Sequence, residues 1–190
     1  MTQVSIRAYQ PRDAPHLAAT FFDAVRNGAL RHYSRQQVEA WAPEAPDASR
    51  VDQWARTGRR TFVAVNELDE PVAYCDFEPD GHIDHLYCRP SYHGRGVASD
   101  LYDVVERTAR QAGVTRLYLE ASEAARRFFH RKGFGVKERR NFAVRGVQIH
   151  NFRRRLCLLQ MQNERYPPCS RRIANAAKAH TLRLQGCRMH

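Results

Sequence analysis

Between positions 82 and 99 the chain reads HIDHLYCRPSYHGRGVAS, where side chains able to take a proton stand beside backbone able to hold an anion. His82, Asp84 and Leu86 alternate with Ile83, His85 and Tyr87, the period of a strand, so His82 and Asp84 are expected on one face, about 7 Å apart by strand rise. Both are candidate proton acceptors. An imidazole titrates near ~6.5, whereas a carboxylate at ~3.9 needs desolvation or a water chain to serve as a base, although Asp84 lies deeper in the strand. His85 and Cys88 fall on opposite faces, which argues against a thiol–imidazole pair. After Pro90, the run Gly94-Arg95-Gly96 opens an amphipathic helix. The first N–H groups of such a helix have no intrahelical partners and sit at the positive end of its dipole. Glycines without a Cβ let a ligand approach that backbone, and Arg95 adds a cation; a phosphate-bearing ligand is the natural occupant.

Three phosphate loops compete for this segment. The dinucleotide fingerprint asks for a third small residue, where Ser99 stands, but belongs to an early strand of a longer α/β chain. The nucleotide P-loop needs Gly-Lys-Ser/Thr, and the chain has no such run. The third pattern, Gln/Arg-x-x-Gly-x-Gly/Ala, is the acyl-CoA loop of the GNAT superfamily of N-acetyltransferases, which the segment His93-Gly94-Arg95-Gly96-Val97-Ala98 resembles, with His93 in the place of Gln or Arg. Leu86-Tyr87-Cys88-Arg89-Pro90 is similar to that family's Leu-Tyr-Val-x-Pro strand end. Downstream, Ser122, Ala125, Phe128, Phe129, Gly133 and Phe134 follow its Asn/Ser-x-x-Ala-x-x-Leu-Tyr-x-x-x-Gly-Phe pattern. Two motifs in order, separated by a helix and a strand, are more specific than either. The resemblance runs over roughly residues 4–155 and is nearest a little-characterised bacterial branch with Ile-Asp-x-Leu in the loop-bearing strand.

The resemblance implies an α/β fold with a mixed, mostly antiparallel sheet, flanked by helices, in which one parallel strand pair splays apart at the glycine loop. Acetyl-CoA is the implied cosubstrate. Leu86, Tyr87 and Cys88 would bond its pantetheine as an extra strand, and His93, Gly94, Arg95, Gly96, Val97, Ala98 and Ser99 would hold its pyrophosphate. Ser122, Ala125, Phe128, Phe129 and Lys132 would face it from the other side. The implied reaction is direct acetyl transfer to a primary amine of a small molecule, peptide or protein, with Asp84 or His82 freeing the amine lone pair. Each of these two could equally be structural or bind the acceptor. Where Phe129 stands the family often has a tyrosine that protonates the leaving thiolate. A phenyl ring has no proton to give, so Ser122, Tyr87 or Tyr118 stands as substitute. The same departure motivates an alternative, a catalytically weakened acyl-CoA-binding regulatory module.

The elements that must position these groups follow from periodicity. Residues 4–9 alternate as a first strand, and Asp13 before Pro15 caps a helix with Leu17, Phe21, Phe22 and Val25 inward. Ser34 with Gln37 makes a capping box, and Ser49 with Asp52 starts a third short helix. In the family this region borders the acceptor pocket, with Tyr33, Trp41 and Trp54 as wall candidates. Residues 61–65 and 72–77 form a hairpin about a turn at 66–71, and a turn at 78–81 delivers the strand that begins at His82. The helix after the loop puts Val97, Leu101, Val104, Val105 and Thr108 inward and ends at Gly113. A parallel strand at 114–120 follows across the helix crossover, then the Phe128–Phe129 helix and a closing hairpin of 136–144 and 147–152.

One domain, 1–155, with a basic, loosely ordered tail at 156–190 accounts for this organisation. The tail holds Arg165, Arg171, Arg172, Lys178, Arg183 and Arg188 against Glu164 alone, which concentrates there much of the net charge of +11. Basicity suits nucleic acid and polyanionic coenzyme A alike, but the tail has little aromatic interleaving, so nucleic acid ranks last among partners. Five cysteines without a Cys-x-x-Cys spacing read as reduced thiols, and Cys169, His180, Cys187 and His190 match no zinc spacing, so no metal is expected. No signal core or bilayer-length apolar run appears, which gives a cytoplasmic protein away from membranes; a homodimer is left open.

Overall fold

The alternation at the start of the chain becomes β1 (Ser5–Ala8) in a computed structural model of the protein, which describes residues 4–158. A 3₁₀ turn, Pro11–Asp13, leads into α1 (Ala14–Asp23), where Pro15 occupies the first turn without costing an intrahelical bond. Asp13 does not cap this helix as expected. It is 1 % exposed, accepts from Arg7 Nη1 at 2.7 Å and Nη2 at 2.9 Å, and clamps β1 to the helix start. A π turn, Ala24–Gly28, prolongs α1, and π turns concentrate at functional sites.

The Ser34–Gln37 capping box is present at α2 (Arg35–Trp41): Gln37 N–H donates to Ser34 Oγ at 3.2 Å and Ser34 N–H to Gln37 Oε1 at 2.9 Å. The next helix, α3 (Ala48–Arg56), starts earlier than a Ser49–Asp52 pair would place it. Asp47 caps it, accepting from Ser49 N–H at 2.8 Å, while Asp52 accepts from the Tyr9 hydroxyl at 2.7 Å. The hairpin follows as β2 (Arg60–Val65) and β3 (Pro71–Phe77), and β3 is buried along its whole length.

The strand expected at His82 arrives in two pieces, β4 (His82–Ile83) and β5 (Leu86–Cys88). The glycine turn, α4 (Val97–Gln111), β6 (Arg116–Ala121), α5 (Arg126–Arg131), β7 (Gly135–Val144) and β8 (Val147–Cys157) complete the described chain. Two four-stranded sheets result, ordered β1-β2-β3-β5 and β4-β6-β8-β7. β4 runs parallel to β6, with His82 opposite Tyr118, and β5 runs antiparallel to β3, with Leu86 opposite Cys75. The chain therefore changes sheets between Ile83 and Leu86, and the sheets part there.

The change has a chemical cause on β3. The Asp76 carboxylate accepts the His85 N–H at 3.0 Å while Asp76 N–H donates to His85 C=O at 3.2 Å, so a side chain replaces one main-chain group of the ladder. The rung survives, but the strand is displaced.

Helix α4 buries Val97, Leu101, Tyr102, Val105 and Ala109, a stripe rotated from the expected one, with Tyr102 and Ala109 in the places of Val104 and Thr108. Tyr102 turns inward because Phe128, Phe129 and Phe134 meet its ring edge-on at 5.9–6.2 Å. These rings join Leu117, Leu119 and Ala121 of β6 in the largest core cluster. The last strand runs past the expected 152, because β8 pairs with β6 from Phe152 to Cys157 while still paired with β7 as far as Arg155, and Leu158 is buried. The tail cysteines and histidines, and most of the region assigned to a tail, lie outside the described residues. Among the described residues no helix is long and apolar enough to cross a membrane.

Candidate active site

Where the sheets part there is a cavity of about 770 Å³. One wall is β5: it is the outermost strand of its sheet, its inner edge is bonded to β3, and Leu86, Tyr87 and Cys88 all line the cavity. An outermost strand offers its unused N–H and C=O groups to any extended ligand that carries amides. At its end comes the glycine turn. Gly94 and Gly96 have φ of +75° and +84°, a region where any other residue is strained, and nothing described lies within 4 Å of where a Gly94 Cβ would be. Ser99 and Asp100 N–H return to the Gly96 carbonyl at 2.8 Å and 3.0 Å, which puts Val97 and Ala98 N–H ahead of the first helical bond, on the cavity wall.

His93 ties this turn down. Its Nε2 lies 3.1 Å from the Cys88 carbonyl, so that nitrogen carries the donated proton. The π turn packs behind it: a Cβ on Gly28 would come within 3.4 Å of His93 Cε1. Arg95, read from the sequence as a phosphate ligand, is not among the lining residues; its guanidinium lies over the Tyr92 ring at 5.3 Å. From the opposite side the cavity is closed by Ser122, Ala125, Phe128, Phe129 and Lys132, as the downstream motif implies. Lys132 Nζ donates to Asp103 at 2.5 Å, which holds α5 against α4.

The two candidate bases part company at the sheet split. Asp84 lines the cavity, its Oδ2 accepting from Arg59 Nη1 at 2.8 Å. Arg59 also reaches Asp76 at 3.1 Å and Glu78 at 3.0 Å, so one half-buried guanidinium serves three carboxylates. Behind it Asp76 lies 2.7 Å from His85 Nδ1. Burial works against both charges, yet the attraction between them and Arg59 keeps Asp76 below the usual carboxylate value, while Asp76 raises His85. His82 is not among the lining residues. It stacks on Tyr118 at 4.9 Å and its Nε2 lies 2.9 Å from Glu120 Oε2. The expectation of a common face for His82 and Asp84 fails because the strand is displaced between them.

Glu120 itself lines the cavity and was not picked out by sequence reading. Nothing local marks it; it gains meaning only from parallel pairing that sets β6 beside β4. Burial opposes ionisation of both partners, but Glu120 raises His82 above its ordinary value, and His82, with Arg153 and Arg140, lowers Glu120.

The remaining candidates divide in the same way. Tyr33 and Trp41 line the cavity, with the Tyr33 hydroxyl donating to the His150 carbonyl at 2.9 Å and accepting Glu123 N–H at 2.8 Å. Trp54 does not; it stacks on His85 at 6.0 Å in a separate cluster. Ser122 and Tyr87 line the cavity, whereas Tyr118, whose hydroxyl bonds Asp80, does not. Cys88 is buried, which pushes its thiol up to about 11 and makes it a poor nucleophile at neutral pH.

An outermost strand running into a glycine-lined helix start, with carboxylates where two sheets separate, is a site for a transferase whose donor is extended at one end and anionic at the other. The chain belongs to the GNAT acetyltransferase family: the acetyltransferase (GNAT) domain signature matches residues 29–156. It is 34 % identical over 152 residues to the uncharacterized N-acetyltransferase YafP of Escherichia coli K12, covering 80 % of this chain and 95 % of that protein. A GCN5-related N-acetyltransferase structure from Rhodopseudomonas palustris is 33 % identical and superposes with a TM-score of 0.74 over 83 % of this chain and 98 % of its own. The fold is also that of YncA from Salmonella typhimurium, a putative acetyltransferase solved with acetyl-CoA, at 18 % identity, a TM-score of 0.66, and 89 % and 100 % coverage.

Proposed function

We propose that the protein transfers an acetyl group from acetyl-CoA to a primary amine, and that Asp84 is the group that meets the amine. The observation that carries this reading is β5, outermost in its sheet and on the cavity wall, leading to Gly94 and Gly96, both left-handed, with open space where a Gly94 side chain would begin. A pantetheine chain has the amides for that edge, and a pyrophosphate has the charge for the N–H groups of Val97 and Ala98. When bound, acetyl-CoA supplies an activated acetyl carbonyl and a thiolate leaving group.

The chain's own residues supply the rest. Asp84, anchored by Arg59, accepts a hydrogen bond from the incoming ammonium and receives its proton, directly or through one water, as the lone pair is engaged. Tyr33, Gln37, Val38 and Trp41 bound the space from which the amine arrives. Phe129, 3 % exposed, has no proton for the departing sulfur; of the substitutes Ser122, Tyr87 and Tyr118, the first two have hydroxyls on the wall and are placed to donate one. His82, reached through Glu120, is a second base: Glu120 opens onto the cavity, and its Oε2 lies 2.9 Å from His82 Nε2.

A screen of amines for thiol release from acetyl-CoA tests the proposal. A set of accepted amines is expected, with Asp84→Asn losing turnover while keeping affinity for CoA. Affinity without turnover on any amine would instead favour a cofactor-binding regulatory module, and no affinity for CoA would end both readings.

A further inference from the structure

On β8, Arg154 is 2 % exposed yet has no carboxylate partner among the described residues. Its Nη1 donates to the Phe134 carbonyl at 2.9 Å, and its Nε is buried with no hydrogen-bond partner among the described residues. A buried guanidinium with an unmet donor is costly, and proteins retain one where a counter-charge meets it. Arg154 lines a second cavity, of about 250 Å³, whose other walls are Arg126, Arg127, His130 and Arg131.

No acid among the described residues lines that cavity. Arg126 is answered by Glu123 at 2.7 Å, and the side chains of Arg127, His130 and Arg131 have no ion-pair partner among the described residues. Burial, with Arg126 adding to it, lowers Arg154 from the ordinary arginine value, and the nearby Glu123 carboxylate offsets this only in part. Four guanidinium forks and an imidazole around one small space match a group with several equivalent oxygens and more than one negative charge. A single carboxylate would leave most of these donors unmet.

We propose that this cavity, formed by α5 and Arg154, is a binding site for the phosphate group of a small phosphate monoester. The assignment needs nothing from the acetyl-transfer reading. Arg131 lines both this cavity and the larger one, so the phosphate arrives either on the bound cosubstrate or on a separate metabolite.

Calorimetry on the full chain in phosphate-free buffer, with inorganic phosphate as the probe, tests the site. Saturable binding of one phosphate is expected, weakened at least about tenfold in the double variant Arg127→Gln, His130→Gln. Both substitutions are on exposed side chains, so the test does not depend on a variant of the buried Arg154. Arg154→Met, if it folds, is expected to abolish the binding. Competition by CoA but not by dephospho-CoA would support a site for the cosubstrate's own phosphomonoester; competition by neither would support a separate ligand. Absence of saturable binding, or equal affinity in the double variant, overturns the proposal.

Discussion

Two carboxylates face each other's sheets across the split, and they are held in different ways. Asp84 belongs to the side built from β3 and β5, where Arg59 is locked by Asp76 and Glu78, and Asp76 is 3 % exposed and paired with His85. Glu120 belongs to the side built from β4 and β6, where its partners His82, Arg153 and Arg140 are all partly open to solvent. The first side is centred on a buried carboxylate, Asp76, with Asp84 and Glu78 at its open end; on the second every charged group keeps some contact with solvent. Low dielectric makes the former costly to break and the latter adjustable.

The largest expected effect comes from breaking the buried side. Asp76→Ala removes the partner of both Arg59 and His85 and the acceptor for His85 N–H, and is expected to cost about 3–5 kcal/mol in denaturant unfolding. Glu120→Gln on the solvated side is expected to cost about 1 kcal/mol or less. Equal losses would remove the distinction between the two sides.

Kinetics sharpen the same contrast. Asp84→Asn is expected to lower kcat by roughly 10²-fold or more with CoA affinity kept, and His82→Gln to lower it less. If His82→Gln proves the more damaging and flattens the pH profile near neutrality, the base lies on the Glu120 side. Between the two sides, Gly96→Ala forces a side chain into a left-handed cap and is expected to cost about 1–2 kcal/mol, seen as weaker CoA binding and a lower Tm.

The smallest effect is read by titration. Because His82 is raised in the folded protein, its pairing with Glu120 contributes stability that is fully present below the unfolded histidine value and fades as pH rises through the folded value. Glu120 is lowered, so its share is present above the unfolded carboxylate value and is lost as pH falls through its folded one. An NMR titration should find the His82 midpoint above ~6.5 and move it down in Glu120→Gln. A midpoint unmoved by that substitution would mean that the pair does not tune the imidazole.

Local chemistry in the sequence determined most of the scaffold: the Ser34–Gln37 cap, the β2–β3 hairpin, the glycine turn and the helix that follows it, and the Ser122-to-Phe134 run all encode their geometry within a few residues. Periodicity located a strand at His82 but could not see that it would break, because the break is caused by Asp76, a neighbour only after β3 folds against it. Tertiary structure alone decided that Asp84 enters the cavity and His82 does not, that Glu120 joins the site, and that Arg154 is buried with no ion-pair partner among the described residues. Backbone hydrogen bonds and glycine sterics act between near neighbours and so are written in order along the chain; charge and burial act through space and exist only once distant segments meet.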